Sequence, residues 1–167
     1  MKMRLPLVVF TPKSLLRHPM VISKVKELST GSFQEIIDDP TAEPKLVEKV
    51  VFTSGRLYYD LAKYKVENGI TNIAIVRLEQ IYPIPNKHIN NILKRYNRSK
   101  ELIWAQDEPE NMGAWPFVNR KLDYLGFKVA SRKESASPAV GLMEQHKHGL
   151  EKILKHVFEV KEHVTVK

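Results

Sequence analysis

The sequence predicts a three-layer α/β/α sandwich built on a mainly parallel sheet. Two observations carry this expectation. Short runs of almost unbroken apolar residues recur along the chain, as at Val50-Val51-Phe52 and Ile73-Ala74-Ile75-Val76. Strands covered by helices on both faces read this way, whereas half-exposed strands alternate. Between the runs lie stripes of apolar residues at helical spacing, so strand and helix alternate and the sheet is parallel with right-handed crossovers.

Five runs read as strands: Leu5–Phe10, Lys49–Thr53, Asn72–Leu78, Glu101–Ala105 and Phe127–Ala130. Val21, Val25 and Leu28 mark a first helix. Leu57, Leu61 and Tyr64 mark a second, which Asn68-Gly69 closes, because glycine tolerates the left-handed turn at a helix end. Ile89, Ile92, Leu93 and Tyr96 form a third stripe, and Trp115 to Leu125, ended by Gly126, a fourth. The last helix is expected from about Pro138 to Phe158, with Ser137 as N-cap and Pro138 in the first turn. Val140, Met143, Leu150, Ile153, Leu154 and Val157 would face inward. Residues 29–45 carry Gly31, Pro40, Pro44 and the acids Glu35, Asp38, Asp39 and Glu43. They read as a surface excursion holding a short strand at Phe33–Ile37. One domain is expected over 1–160, with a frayed tail at 161–167.

The 167 residues are 43% hydrophobic and 28% charged, which excludes a disordered chain. Cysteine is absent, which removes disulfides, thiolate metal sites and cysteine nucleophiles and fits a reducing compartment. No apolar run approaches the ~20 residues that span a bilayer. The basic start before Leu5–Phe10 lacks the long apolar stretch of a signal peptide. The net charge of +8 is scattered among acids, and the densest basic stretch, Lys94 to Lys100, sits where a helix end favours cations. Nucleic acid is therefore not the expected partner.

Ligands of parallel sheets bind beyond the carboxyl ends of strands. The loop after the first run carries Thr11, Lys13, Ser14 and Arg17, which suit either an anion at a helix N-terminus or a capped turn with solvated cations. Arg132, before Ser135 and Ser137, offers the same pair of readings. Thr53-Ser54-Gly55-Arg56 is a tight strand-to-helix turn. Leu78 to Pro85 holds two prolines and reads as a rigid connection. Asp107, Glu108 and Glu110 surround Pro109, but acids also favour the N-terminus of a following helix. Domain contact through Met112 and Trp115 is the expected role of that loop. The six histidines include His146 and His148, whose spacing does not suit a metal pair on a helix, so solvated histidines are expected. No Walker loop, dinucleotide fingerprint or nucleophile elbow occurs.

Five segments in order resemble the C-terminal domain of the 2-oxoglutarate dehydrogenase decarboxylating component. They are Val8-Val9-Phe10-Thr11-Pro12-Lys13-Ser14-Leu15-Leu16-Arg17-His18-Pro19, Thr53-Ser54-Gly55-Arg56-Leu57-Tyr58-Tyr59-Asp60-Leu61 and Ile75-Val76-Arg77-Leu78-Glu79-Gln80-Ile81-Tyr82-Pro83, then Glu108-Pro109 with Asn111 and Gly113-Ala114-Trp115, and finally Ser135-Ala136-Ser137-Pro138-Ala139-Val140-Gly141. The resemblance spans about Leu5 to Phe158. It implies a transketolase C-terminal-like fold, a mostly parallel five-stranded sheet with one reversed strand. It implies a full-length enzyme that uses thiamine diphosphate and magnesium, decarboxylates 2-oxoglutarate in the citric acid cycle and succinylates lipoamide on a succinyltransferase partner. The setting would be the bacterial cytoplasm or the mitochondrial matrix.

Departures from the family pattern are Asp107 before Glu108-Pro109, Glu110 and Met112 around Asn111, and Glu134 before Ser135. The Gly-Asp-Gly segment that holds metal and diphosphate in such enzymes is absent, and the activating glutamate belongs to other domains. No catalytic, cofactor-binding or metal-ligating residue is therefore assigned to this chain. The resemblance implies a structural, dimerising and regulatory domain that contacts upstream domains, with Glu108, Pro109, Asn111, Gly113, Ala114 and Trp115 as interface candidates. Some members hold a nucleotide or acyl-coenzyme A effector here, and Thr11, Lys13, Ser14, Arg17 and Arg132 are the anion-binding candidates. A stand-alone effector-binding module is the competing expectation.

Overall fold

The computed structural model describes residues 5–159. Chain contacts divide at Phe33 and Gln34 into two units. The expected tail at 161–167 lies outside the described residues.

The second unit is built on five strands. They are β1 (Ile36–Ile37), β2 (Lys49–Thr53), β3 (Ile73–Leu78), β4 (Glu101–Pro109) and β5 (Lys128–Arg132), in the order β1-β3-β2-β4-β5. All neighbours are parallel except β1, which runs antiparallel to β3. The helices are α2 (Leu57–Glu67), α3 (Asn86–Arg95), α4 (Trp115–Leu122) and α5 (Met143–Phe158). Successive residues of a strand point to opposite faces. Val50, Phe52, Ala74, Val76 and Trp104 accordingly enter one core with Ile89 and Ile92 of α3 and Val118 and Leu122 of α4. Val51, Ile73, Ile75, Ile103 and Ala105 enter the other with Leu61 of α2 and Ile153 and Val157 of α5. Both faces are covered, which is why these strands carry no polar alternation.

Local chemistry fixes the connections. The end of α2 is a Schellman motif: the Ile70 N–H donates to the Lys65 carbonyl (3.0 Å) and the Gly69 N–H to that of Val66 (3.2 Å), with Gly69 at φ 61°. Helix α4 passes into a 3₁₀ turn, Asp123–Leu125, which Gly126 ends at φ 66°. Lys49, at the start of β2, donates to the Val157 carbonyl (2.8 Å) at the C-terminus of α5 and pairs with Glu101 (3.3 Å). A cation is favoured there by the helix dipole.

The acidic stretch before β2 is structural. Antiparallel register places residue 39 across from Ile75, and there the Asp39 carboxylate accepts the Ile75 N–H (2.9 Å), extending a ladder that Pro40 cannot continue. Asp39 also pairs with buried Lys65 of α2 (2.6 Å) and accepts from Thr41. Burial alone would raise the Asp39 carboxyl, but Lys65, the Ile75 amide and Thr41 together hold it below the ordinary aspartate value. Asp38 accepts from the Tyr96 hydroxyl (2.7 Å) and pairs with Arg95 (3.0 Å), tying the end of α3 to the same edge. Burial and the Asp38 hydrogen bond push the Tyr96 phenol well up.

Two expectations are corrected. Helix α5 begins at Met143, not near Pro138. Ser137 instead donates to the Ala139 carbonyl within a turn, and Val140 and Met143 are exposed. In the first unit, Leu5–Phe10 forms no strand. A strand needs neighbours for its N–H and C=O groups, and among the described residues no backbone hydrogen bond involves Leu7–Phe10. This unit holds one 3₁₀ turn, Lys13–Leu15, and a short helix, α1 (Val25–Thr30), whose Val25 and Leu28 are exposed. The sheet keeps five strands because β1, inside the expected Phe33–Ile37, supplies the fifth.

Candidate functional site

The parallel strands all end at one edge of the sheet, and on the α2/α5 face of that edge four side chains converge. Arg56 comes from the turn between β2 and α2, Asp107 from β4, Arg132 from the end of β5 and His146 from the first turns of α5. The two Asp107 oxygens are divided between the guanidiniums, at 2.8 Å to Arg56 and 2.5 Å to Arg132. The His146 ring lies between the same two cations, with Nε2 3.3 Å from Arg56 and Nδ1 2.8 Å from Arg132. Arg56 also pairs with Asp60 one helical turn on (2.9 Å). Burial pushes the Asp107 carboxyl up, but the Arg56 hydrogen bond and the charges of Arg132 and Arg56 outweigh it and hold the group ionised, below the ordinary aspartate value. An acid so engaged is a charge-assisted clamp, not a free base. Two buried atoms beside it, Thr53 Oγ1 and Arg132 Nε, take no hydrogen bond among the described residues.

A second construction adjoins the cluster. Gln106 is buried, and its carbonyl oxygen accepts from Trp104 Nε1 (3.0 Å) and the Trp115 N–H (2.9 Å). Its amide donates to the Pro109 and Met112 carbonyls (2.9 and 2.7 Å), so one side chain shapes the whole loop from 106 to 115. Gly113 at φ 65° lies against Gln106. The Asn111 amide donates to the Ser135 carbonyl (3.0 Å) and accepts the Ser135 N–H (3.1 Å), clasping this loop to the segment before α5.

The anion candidates fall in both units. Thr11, Lys13, Ser14 and Arg17 are exposed in the first unit, on and beside a three-residue 3₁₀ turn in place of the expected helix N-terminus. Arg132 belongs to the second unit and enters the cluster. Among the interface candidates, Pro109 and Trp115 are buried inside the domain, so the apolar area of Trp115 is already covered. Glu108, Asn111 and Gly113 are exposed and Ala114 half-buried. Arg56 reads in the sequence only as part of a tight turn, and His146, expected to be solvated, is instead half-buried between two guanidiniums. Arg56 stood in a recognised turn, but its partners lie 51 and 90 positions away, and the spacing of His146 from His148 carries no sign of an arginine pair.

Among the described residues no group of three or more His, Asp or Glu side chains is placed to hold a metal ion. The described residues therefore offer no such donor set for the magnesium that the resemblance implies for the full-length enzyme, and no step through it is derived.

Residues 22–158 match the family described as 2-oxoglutarate dehydrogenase C-terminal. The 2-oxoglutarate dehydrogenase E1 component of Rickettsia felis is 44% identical over 162 residues, which cover 91% of this chain and 16% of that protein. That of Haemophilus influenzae is 42% identical over 151 residues, covering 87% of this chain and 16% of its own length. The chain thus spans about a sixth of the length of these relatives. A match over most of the chain, together with this identity, places it in the 2-oxoglutarate dehydrogenase C-terminal family, as the C-terminal domain of an E1 component.

Proposed function

We propose that this domain is the structural, dimerising and regulatory C-terminal part of an enzyme that oxidatively decarboxylates 2-oxoglutarate and succinylates lipoamide. Thiamine diphosphate and magnesium would be held by upstream domains. The partners are those domains, a second protomer and the succinyltransferase component, in the bacterial cytoplasm or the mitochondrial matrix. The observation that supports this reading is where the side chains at the strand ends spend their bonds. Arg56 and Arg132 clamp Asp107, and Asn111 clasps Ser135. Of the shared segments, Arg56 thus ties the β2–α2 turn to β4, and Asn111 and Ser135 tie the loop after β4 to the stretch before α5, as a scaffold requires. The test replaces the corresponding C-terminal part of the Rickettsia felis E1 component with this chain. CO₂ release from 2-oxoglutarate is expected in the chimera, and calorimetry of the isolated chain with thiamine diphosphate is expected to show no binding. Tight binding by the isolated chain, or a folded but inactive chimera, would sink the reading.

A second reading is favoured by the convergence of Arg56, Arg132 and His146 at the strand carboxyl ends, where phosphorylated ligands of parallel sheets bind. There the domain takes an adenine nucleotide or acyl-coenzyme A effector. A melting temperature that rises with ligand concentration supports it, and no rise with either class removes it.

A further inference from the structure

The first unit presents an apolar run with nothing of its own to cover it. Leu7, Val8, Val9 and Phe10 are between 69% and 93% exposed. In an extended chain Leu7 and Val9 point one way and Val8 and Phe10 the other, so both faces are apolar. A strand lying over a single core would carry polar residues on its outer face. Two apolar faces instead mark a strand in the interior of a covered sheet. The backbone agrees, since among the described residues the N–H and C=O groups of Leu7–Phe10 take no backbone hydrogen bond. Pro6 and Pro12, which cannot donate to a ladder, stand just outside this stretch.

We propose that Leu7–Phe10 pairs as a strand with a sheet in the portion that precedes this domain in E1 components. Position supports this occupant. The family match begins at residue 22, so the run lies upstream of the C-terminal family region. The 91% coverage by the Rickettsia felis relative exceeds what residue 22 to the end supplies, so the likeness extends at least a few residues upstream of residue 22. In the relatives, about five sixths of the chain lies outside the matched part. The competing occupant is a second copy, paired through the outer edge of β5. That strand is Lys-Val-Ala-Ser-Arg, too polar to serve a run that needs apolar cover on both faces. Such strand addition draws its affinity from main-chain bonds and its register from alternate side chains.

The proposal rests on the preceding reading for the identity of the partner. Hydrogen exchange in the same Rickettsia felis chimera tests it. In the isolated chain the amides of Val8, Val9 and Phe10 are expected to exchange at nearly unprotected rates. In the chimera they are expected to slow about 100-fold or more. A paired substitution, Val8→Asp with Phe10→Asp, gives a second readout. It is expected to leave the melting temperature of the isolated chain unchanged and to lower that of the chimera. Fast exchange in the chimera overturns the proposal, and so does protection in the isolated chain that grows with concentration alongside a dimeric mass. Activity separates the two ideas. An active chimera with fast exchange defeats strand addition alone, whereas an inactive chimera with slow exchange defeats the proposed activity and leaves strand addition supported.

Discussion

At the scale of single residues, two carboxylates with the same sign of shift differ in what they hold. Asp107 is a quarter exposed and shares two guanidiniums. Replacing it with Asn keeps the shape but leaves two cations facing each other across a neutral amide. Between the near-zero worth of surface pairs and the several kcal/mol of buried ones, the expected loss is about 1 kcal/mol by urea unfolding at neutral pH. Its pH dependence follows from the depressed value of the folded state. The stabilisation is fully present above the unfolded aspartate value, about 3.9, and is lost as pH falls through the folded one. The gap between wild type and Asp107→Asn is therefore expected to stay constant from neutral pH down to about 5 and to close below about 4. A gap that widens in acid would refute this account. Asp39 and Lys65 are both buried, at 6% side-chain exposure each. Lys65→Met leaves a carboxylate stranded against the sheet edge, and the expected loss is larger, about 3 kcal/mol.

At the scale of elements, the legible parts are those whose pattern comes from burial alone. Strands β2 and β3 read as unbroken apolar runs because helices cover both faces. The end of α2 reads as Asn68-Gly69 because only a left-handed residue closes a Schellman motif. The illegible parts depend on partners distant in sequence. Leu5–Phe10 and the Val21, Val25, Leu28 stripe have strand and helix patterns, yet their large apolar side chains are exposed. Strand β1 has two residues, and the resemblance implies one reversed strand without saying which, while periodicity carries no strand direction. The candidate site is similar. Arg56, Asp107 and Arg132 meet because the β2–β4 register sets Thr53 beside Ala105, and the irregularity between Ala105 and Pro109 then brings Arg132 beside Pro109. The two turn glycines separate strain from crowding. Gly69 and Gly113 share a φ near +60°, but a Cβ at Gly69 meets nothing within 4 Å, whereas one at Gly113 comes 3.1 Å from both polar atoms of Gln106. Gly69→Ala is expected to cost about 1 kcal/mol, the strain of the left-handed region. Gly113→Ala is expected to cost clearly more, because Gln106 must also give way. Equal losses in denaturation would mean that Gln106 does not govern the loop.

At the scale of the whole molecule, the division of the chain has an energetic consequence. Among the described residues, every buried core residue lies at or beyond Ala42, and the earliest side chain packed against either core is Ile36. No residue of α1 or of the Lys13–Leu15 turn is fully buried, Leu15 being half-buried. Hydrophobic burial is the main term that offsets conformational entropy, so residues that bury no side chain add little to folding free energy. Removing residues 1–33 is therefore expected to leave one cooperative transition with an unchanged urea midpoint. The denaturant slope should also hold, because it follows the area exposed on unfolding, and that area belongs to the second unit. The shortened chain should be more soluble, having lost Leu7 to Phe10 as an exposed apolar stretch. Loss of cooperativity, or a midpoint shift equivalent to more than about 1 kcal/mol, would show that the first unit completes this domain's own core. In that case Leu7–Phe10 would not be free to serve a sheet elsewhere, and the strand proposal would lose its physical basis as well.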